Sequence, residues 1–168
     1  MAKQTKPGGT PATVALTTAG VPFTLHPYTH VDGQRHFGDE ATAALGLDPA
    51  RVFKTLVAEL VGGALAGGGL AVAVVPVARQ LDLKALATAL GAKKAALADP
   101  AAAQRSSGYV LGGISPLGQR TALPTVVDAS ALGFATVFVS AGRRGLQVEL
   151  APQDLVGVTG ASLVPIAQ

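Results

Sequence analysis

Residues 51–60, RVFKTLVAEL, and residues 69–77, GLAVAVVPV, decide the fold. Both are short apolar runs rich in β-branched side chains, the pattern of buried strands rather than of helix. The Gly-rich GGALAGG between them, residues 62–68, reads as the connection of a hairpin. Side chains alternate along a strand, so Val52, Lys54, Leu56 and Ala58 share one face and Phe53, Thr55, Val57 and Glu59 the other. Lys54 is the anomaly in this run. Its four-carbon stem can pack between Val52 and Leu56 while the ammonium reaches water, or it can form the floor of a pocket.

Outward from the hairpin, helices and strands alternate without a strict βαβ order. Thr10-Pro11 reads as N-cap and first helical residue of a helix stopping near Gly20, and VPFTLHPY (21–28) alternates as a strand. Asp39 is expected to cap a helix over ATAAL that ends at Gly46. LDLKALATAL (81–90) forms another, ending at Gly91, and one more begins at Asp99-Pro100. Three further strands are expected at LPTVVD (123–128), ATVFVS (135–140) and LQVEL (146–150). The expectation is a mixed α/β fold. With 168 residues, no internal repeat and no long linker, residues 10–168 read as one domain behind a disordered polar tail, MAKQTKPGG (1–9).

Composition narrows the chemistry. Hydrophobic residues are 49% and charged residues 14%, which excludes a disordered chain. The absence of cysteine excludes disulfides, thiolate metal sites and a cysteine nucleophile, and fits a reducing cytoplasmic setting. No apolar segment has the length of a signal peptide or membrane span. The net charge of +3 is unevenly spread: residues 79–144 hold eight basic and three acidic side chains, against five of each in residues 1–78. Such an excess makes a surface for phosphates or an ordinary solvated face.

Three motifs are weak on physical grounds. GGALAGGG is followed by no Lys-Ser/Thr and opens no helix, so it does not make a phosphate-binding loop. In GGISPLG, Pro116 follows Ser115 and has no N–H to offer an oxyanion, so Ser115 is a poor nucleophile. Pro27 interrupts any helix that would align His26 with His30, and His36 lies beyond, so no metal site is expected. Two loops are better placed. Gly112 and Gly113 lack Cβ atoms and can present adjacent N–H groups to an anion, and FVSAGRRG ends a strand at Ser140 and turns before Arg143 and Arg144.

FGDEATAALGL, VFKTLV, LAVAVVPVARQLDLKALATALGAKK, ADPAAAQRSSGYVLGGISPLGQR, LPTVVDAS and FATVFVSAGRRGLQVEL together resemble the YbaK family, over about residues 10–167 and in that family's order. Within it the chain is most similar to the Cys-tRNA(Pro) deacylases, relatives of the editing insertion domain of bacterial prolyl-tRNA synthetases. The resemblance implies a mixed, barrel-like β-sheet with flanking helices. It also implies hydrolysis of the ester joining cysteine to the 3′-terminal ribose of mischarged Cys-tRNA(Pro), with Cys-tRNA(Cys) as a further substrate. The alternatives are an Ala-tRNA(Pro)-type deacylase, or a module that binds aminoacyl-tRNA or a synthetase without efficient turnover.

In the mechanism the resemblance implies, the substrate's own thiol attacks the ester carbonyl, the tRNA leaves, and water opens the resulting cyclic thioester. Such a reaction calls for no cofactor. Lys54 matches the family's essential lysine. Gly112, with Gly113, would support the developing oxyanion, and Tyr28, Ser140 and Gln147 fall on substrate-binding positions. Where the family usually reads GLDIEL this chain reads GLQVEL, so Gln147 replaces an aspartate. The implied partners are the acceptor 3′ end of tRNA, met by Arg105, Arg120, Arg143 and Arg144, and prolyl-tRNA synthetase.

Overall fold

The computed structural model describes residues 9–63 and 69–168. The expected disordered tail (apart from Gly9) and residues 64–68 of the Gly-rich connection lie outside the described residues.

Local chemistry sets most of the boundaries. Helix α1 (Pro11–Ala19) begins with a reciprocal cap: the Thr13 N–H donates to Thr10 Oγ1 at 3.2 Å and the Thr10 N–H to Thr13 Oγ1 at 3.1 Å. Strand β1 is shorter than expected, Thr24–Pro27. Helix α2 (Phe37–Leu45) starts two residues before the expected cap, with His36 at the N-cap position and Asp39 inside the first turn. A carboxylate there still complements the positive end of the helix, so the sequence signal was read in the wrong register.

β2 (Phe53–Val61) and β3 (Leu70–Pro76) form the expected antiparallel pair, in register from Phe53–Pro76 to Glu59–Leu70. Asp82 caps α3 (Leu83–Ala89) and Asp99 caps α4 (Pro100–Ser107), each through its carboxylate. Between them lies a strand that the sequence reading lacked, β4 (Lys94–Leu97), antiparallel to β2. β5 (Thr125–Asp128) runs into a short 3-10 turn (Ala129–Gly133). β6 (Val137–Arg143) and β7 (Leu146–Leu150) follow, and α5 (Pro152–Thr159) and β8 (Ser162–Val164) complete the chain.

The strands form two sheets, ordered β1-β7-β6 and β4-β2-β3-β5-β8, the second mixed because β5 pairs in parallel with both β3 and β8. The expected mixed sheet with flanking helices is present. The barrel is not closed: the sheets meet at one parallel bridge, Val52 with Phe138.

The five-stranded sheet is buried on both faces. Phe53, Val57, Val72 and Val74 join the main core with Val137, Val139, Leu146 and Val148 of the smaller sheet and Leu16 of α1. Ala58, Ala73 and Val75 face Leu86 of α3 and Ile166. This accounts for the nearly continuous apolar reading of β3.

Candidate active site

The bridge between the sheets sets out the site. Val52 and Phe138 lie side by side on parallel segments, so two residues further along each strand Lys54 and Ser140 come level on the same face. Ser140 is in turn the direct partner of Gln147, and Gln147 of His26. Four strands thus contribute one polar row, Lys54, Ser140, Gln147 and His26, on the face turned away from the main core. Lys54, Ser140 and Gln147 line a cleft of about 380 Å³, with α2 residues and the 111–114 loop as its other walls.

Each member of the row has a distinct state. Lys54 is half-buried and, among the described residues, its ammonium makes no hydrogen bond or ion pair. Ser140 sits at a register shift between β6 and β7, and its Oγ accepts the Gly142 N–H at 3.2 Å. Gln147 is only 7% exposed, and its Oε1 is buried without a hydrogen-bond partner. Burying an acceptor unpaired costs about 1–3 kcal/mol, so this atom is set up to receive a donor from a ligand. Thr55 also lines the cleft, but strand alternation turns its side chain to the face opposite Lys54, where its Oγ1 is buried in the same condition. Tyr28 is not among the cleft-lining residues, but its hydroxyl lies beside the Gln147 side chain and the Gly145 backbone. Burial first, and the charge of Glu40 after it, push the phenol up, so it stays a neutral donor.

The opposite wall is built on close approach. Gly112 has φ +84°, and a Cβ there would fall 2.5 Å from the Phe37 ring, so the ring packs directly on the glycine backbone. Among the described residues the Gly112 N–H has no backbone partner. Gly113 is different: its N–H donates to the Val110 carbonyl at 2.9 Å, and its Cα lies against the Arg143 backbone. Of the expected pair of N–H groups, the one on Gly113 is therefore used to close the turn.

Beside the cleft, Glu149 shares the Gln147 face but is already engaged. It accepts from Thr136 Oγ1 at 2.6 Å and pairs with His26 at 2.9 Å and Arg51 at 3.1 Å, while the Arg51 guanidinium covers the Phe138 ring. The Thr136 hydroxyl foremost, then His26 and Arg51, hold its carboxyl below the usual range. Glu40 likewise pairs with His30 at 2.7 Å and accepts the Val31 N–H; these contacts outweigh its burial and lower its pKa. Two of the three histidines are thus accounted for by carboxylates. Among the described residues no three histidine, aspartate or glutamate side chains gather as a metal site.

The four arginines expected to meet tRNA fall on α4, on the loop that follows it and on the β6–β7 turn that packs against that loop. Arg105 is in the last turn of α4, and Arg120 packs on Gly108 at the end of that helix. Arg144 donates its Nε–H to the Leu111 carbonyl at 2.8 Å and lies over the Phe37 ring, and Arg143 backs Gly113. The sequence reading missed Phe37, Thr55 and Arg35 as cleft residues. With the α2 cap placed at Asp39, Phe37 fell outside the helix, and nothing in strand periodicity marks a threonine whose hydroxyl lacks a partner.

Known proteins share this fold. The aminoacyl-tRNA editing domain family matches residues 35–158. EbsC of Enterococcus faecalis, named as a candidate Cys-tRNA(Pro)/Cys-tRNA(Cys) deacylase, is 37% identical over 140 residues, 83% of this chain and 82% of its own. The crystal structure of a candidate trans-editing enzyme for prolyl tRNA synthetase superposes with TM-score 0.80 at 24% identity, covering 97% of this chain and 98% of that one. A hypothetical protein of known structure superposes with TM-score 0.82 at 23% identity, covering 94% and 99%. These two similarities show a shared fold.

Proposed function

The chain belongs to the aminoacyl-tRNA editing domain family, and on that premise we propose that it is a trans-acting deacylase that hydrolyses the cysteinyl ester of mischarged Cys-tRNA(Pro), and that of Cys-tRNA(Cys). One observation carries the reading: a single cleft holds an unpaired ammonium, a bare glycine N–H and an unpartnered buried amide oxygen. A cysteinyl ester fits these groups in order. Lys54 and the Gly112 N–H stabilise charge developing on the ester oxygen. Gln147 Oε1 takes an N–H of the substrate amine, and the Ser140 and Tyr28 hydroxyls orient the rest of the aminoacyl group.

The bond-breaking nucleophile comes from the substrate. A thiol with pKa about 8.5 is a few per cent thiolate at neutral pH. Its sulfur attacks the carbonyl carbon, the bond from that carbon to the ribose oxygen breaks, and the ribose oxygen takes up the proton the thiol gave up. Water then opens the strained cyclic thioester to free cysteine. The protein's part is to fold the cysteinyl group back on itself and to meet the oxyanion.

The unit we propose is a single deacylase domain over residues 10–168, acting in the cytoplasm beside prolyl-tRNA synthetase, which supplies the tRNA selectivity the cleft lacks. No described helix is long and apolar enough to cross a membrane. A deacylation assay on Cys-tRNA(Pro), Ala-tRNA(Pro) and Ser-tRNA tests the reading. Rapid release from the cysteinyl substrate alone supports it, preference for the alanyl ester replaces it with an alanine editor, and binding without release leaves a recognition module.

A further inference from the structure

The outer end of the cleft carries a feature that ester hydrolysis does not use. Arg35, His36, Phe37, Gly38 and Asp39 all line it, and they are the residues at which α2 begins. The His36 side chain makes no capping bond, so the start of α2, whose residues line the cleft, has no side-chain cap. Arg35 is exposed and has no hydrogen bond or ion pair among the described residues. Arg144 reaches the cleft through Phe37: its guanidinium stacks on that ring, its Nε–H is bonded to Leu111, and its terminal nitrogens make no hydrogen bond or ion pair among the described residues. Asp39 is the one acid among the lining residues and offsets part of this charge. At the inner end of the same cleft, the unpartnered Gln147 Oε1 independently calls for a ligand that brings a donor.

We infer that the cleft mouth, formed by Arg35, Arg144 and the uncapped start of α2, is a phosphate clamp for the 5′-phosphate of the terminal nucleotide whose aminoacyl group occupies the inner end. The inference rests on the deacylase reading and adds a direction to it. The aminoacyl group lies toward Ser140 and Gln147, and the acceptor strand leaves past α2. A planar guanidinium matches two phosphate oxygens, and N–H groups at a helix start add donors aimed the same way. Phe37, held between Gly112 and Arg144, fixes the spacing between the two ends.

The test uses 3′-deoxy-3′-cysteinylamino-adenosine, an amide that resists hydrolysis, with and without a 5′-phosphate, titrated calorimetrically at low salt into the full chain. The phosphorylated analogue should bind roughly tenfold to hundredfold more tightly, the range of a charge-assisted contact. Arg35→Ala should lose most of that preference and Arg35→Lys should retain part of it. Equal binding of the two analogues to the unaltered chain, or a preference that survives Arg35→Ala, would overturn the clamp while leaving the deacylase reading in place. If neither analogue binds at millimolar concentration, the deacylase reading fails and the clamp with it.

Discussion

Lys54 stands among Val52, Leu56 and Val75 with no counter-ion, and half-burial makes its charge more effective on a bound oxygen than it would be in water. Lys54→Ala removes a group that no part of the fold relies on, so the variant should melt close to the unaltered protein. Turnover of Cys-tRNA(Pro) should fall ~10²- to 10³-fold, the usual cost of one lost electrostatic contact at a reacting oxygen. A folded variant with normal turnover would remove Lys54 from the chemistry. Gln147 allows a finer measurement. Its neighbour Glu149 is held by Thr136, His26 and Arg51, so it cannot swing in to supply the missing charge. Gln147→Asp should therefore strengthen the contact with the substrate's ammonium by about 1–2 kcal/mol, the gap between neutral and charge-assisted hydrogen bonds, or about fivefold to thirtyfold in rate. The sign with pH follows from both partners. The gain needs an ionised aspartate and a protonated amine, so it appears above the aspartate pKa and disappears as pH rises through about 7.7 to 8. A ratio of variant to unaltered rates that stays flat across this range would show that position 147 does not meet the amine.

Single residues also decide whole elements, and one of them ties down the end of the chain. Asp128 closes β5, and its carboxylate accepts the Ile166 and Ala167 N–H groups at 2.8 and 3.0 Å and the Ser130 N–H at 3.2 Å. Burial acts to raise its pKa, but the Ser130 side chain and these backbone donors outweigh it and hold the carboxyl below its ordinary value. A folded pKa below the unfolded one means stability that is complete above about pH 4 and is lost as pH falls through the folded value. Asp128→Asn should cost about 1.5–3 kcal/mol at neutral pH, measured by urea unfolding, and the gap should narrow toward pH 2 to 3. A gap that is constant with pH would mean that the carboxylate charge is irrelevant to the clamp. This element also shows what was legible in the sequence. Thr10-Pro11 and Asp99-Pro100 announced their helices because capping is local, and β2 and β3 were clear because both faces are apolar. β4, α5 and β8 were not. KAAL has no β-branched residue and exists as a strand only because β2 offers it an edge, and the clamp at Asp128 joins residues about forty apart, which no local pattern records. Resemblance marked Lys54, Gly112, Ser140 and Gln147, and the fold brings these four to one cleft. The commitment of the Gly113 N–H to Val110 required the loop's actual path.

At the scale of the whole molecule, the basic excess of residues 79–144 divides into two surfaces. Arg79 donates to the Ala167 carbonyl, Lys84 lies on α3, and Lys93 and Lys94 stand at the β4 edge. Arg105, Arg120, Arg143 and Arg144 are drawn together where α4, the 108–120 loop and the β6–β7 turn meet, bordering the cleft through Leu111 and Gly112. The path expected for an acceptor stem entering the cleft runs past the second group. Each phosphate it neutralises releases condensed counterions, so log affinity for tRNA should fall linearly with log salt, with a slope of about −0.7 to −0.9 per contact. A combined Arg105→Ala, Arg120→Ala variant changes two exposed side chains and should fold normally. It should weaken tRNA binding regardless of the attached amino acid and make the slope shallower by about one to two units. Lys93→Ala with Lys94→Ala removes the same net charge from the other surface, and should shift neither slope nor affinity beyond the small effect of net charge at a distance, which is screened over about 8–10 Å. Equal slope changes in the two double variants would mean that tRNA responds to total charge, and that the arginines beside the cleft have no special place in its path.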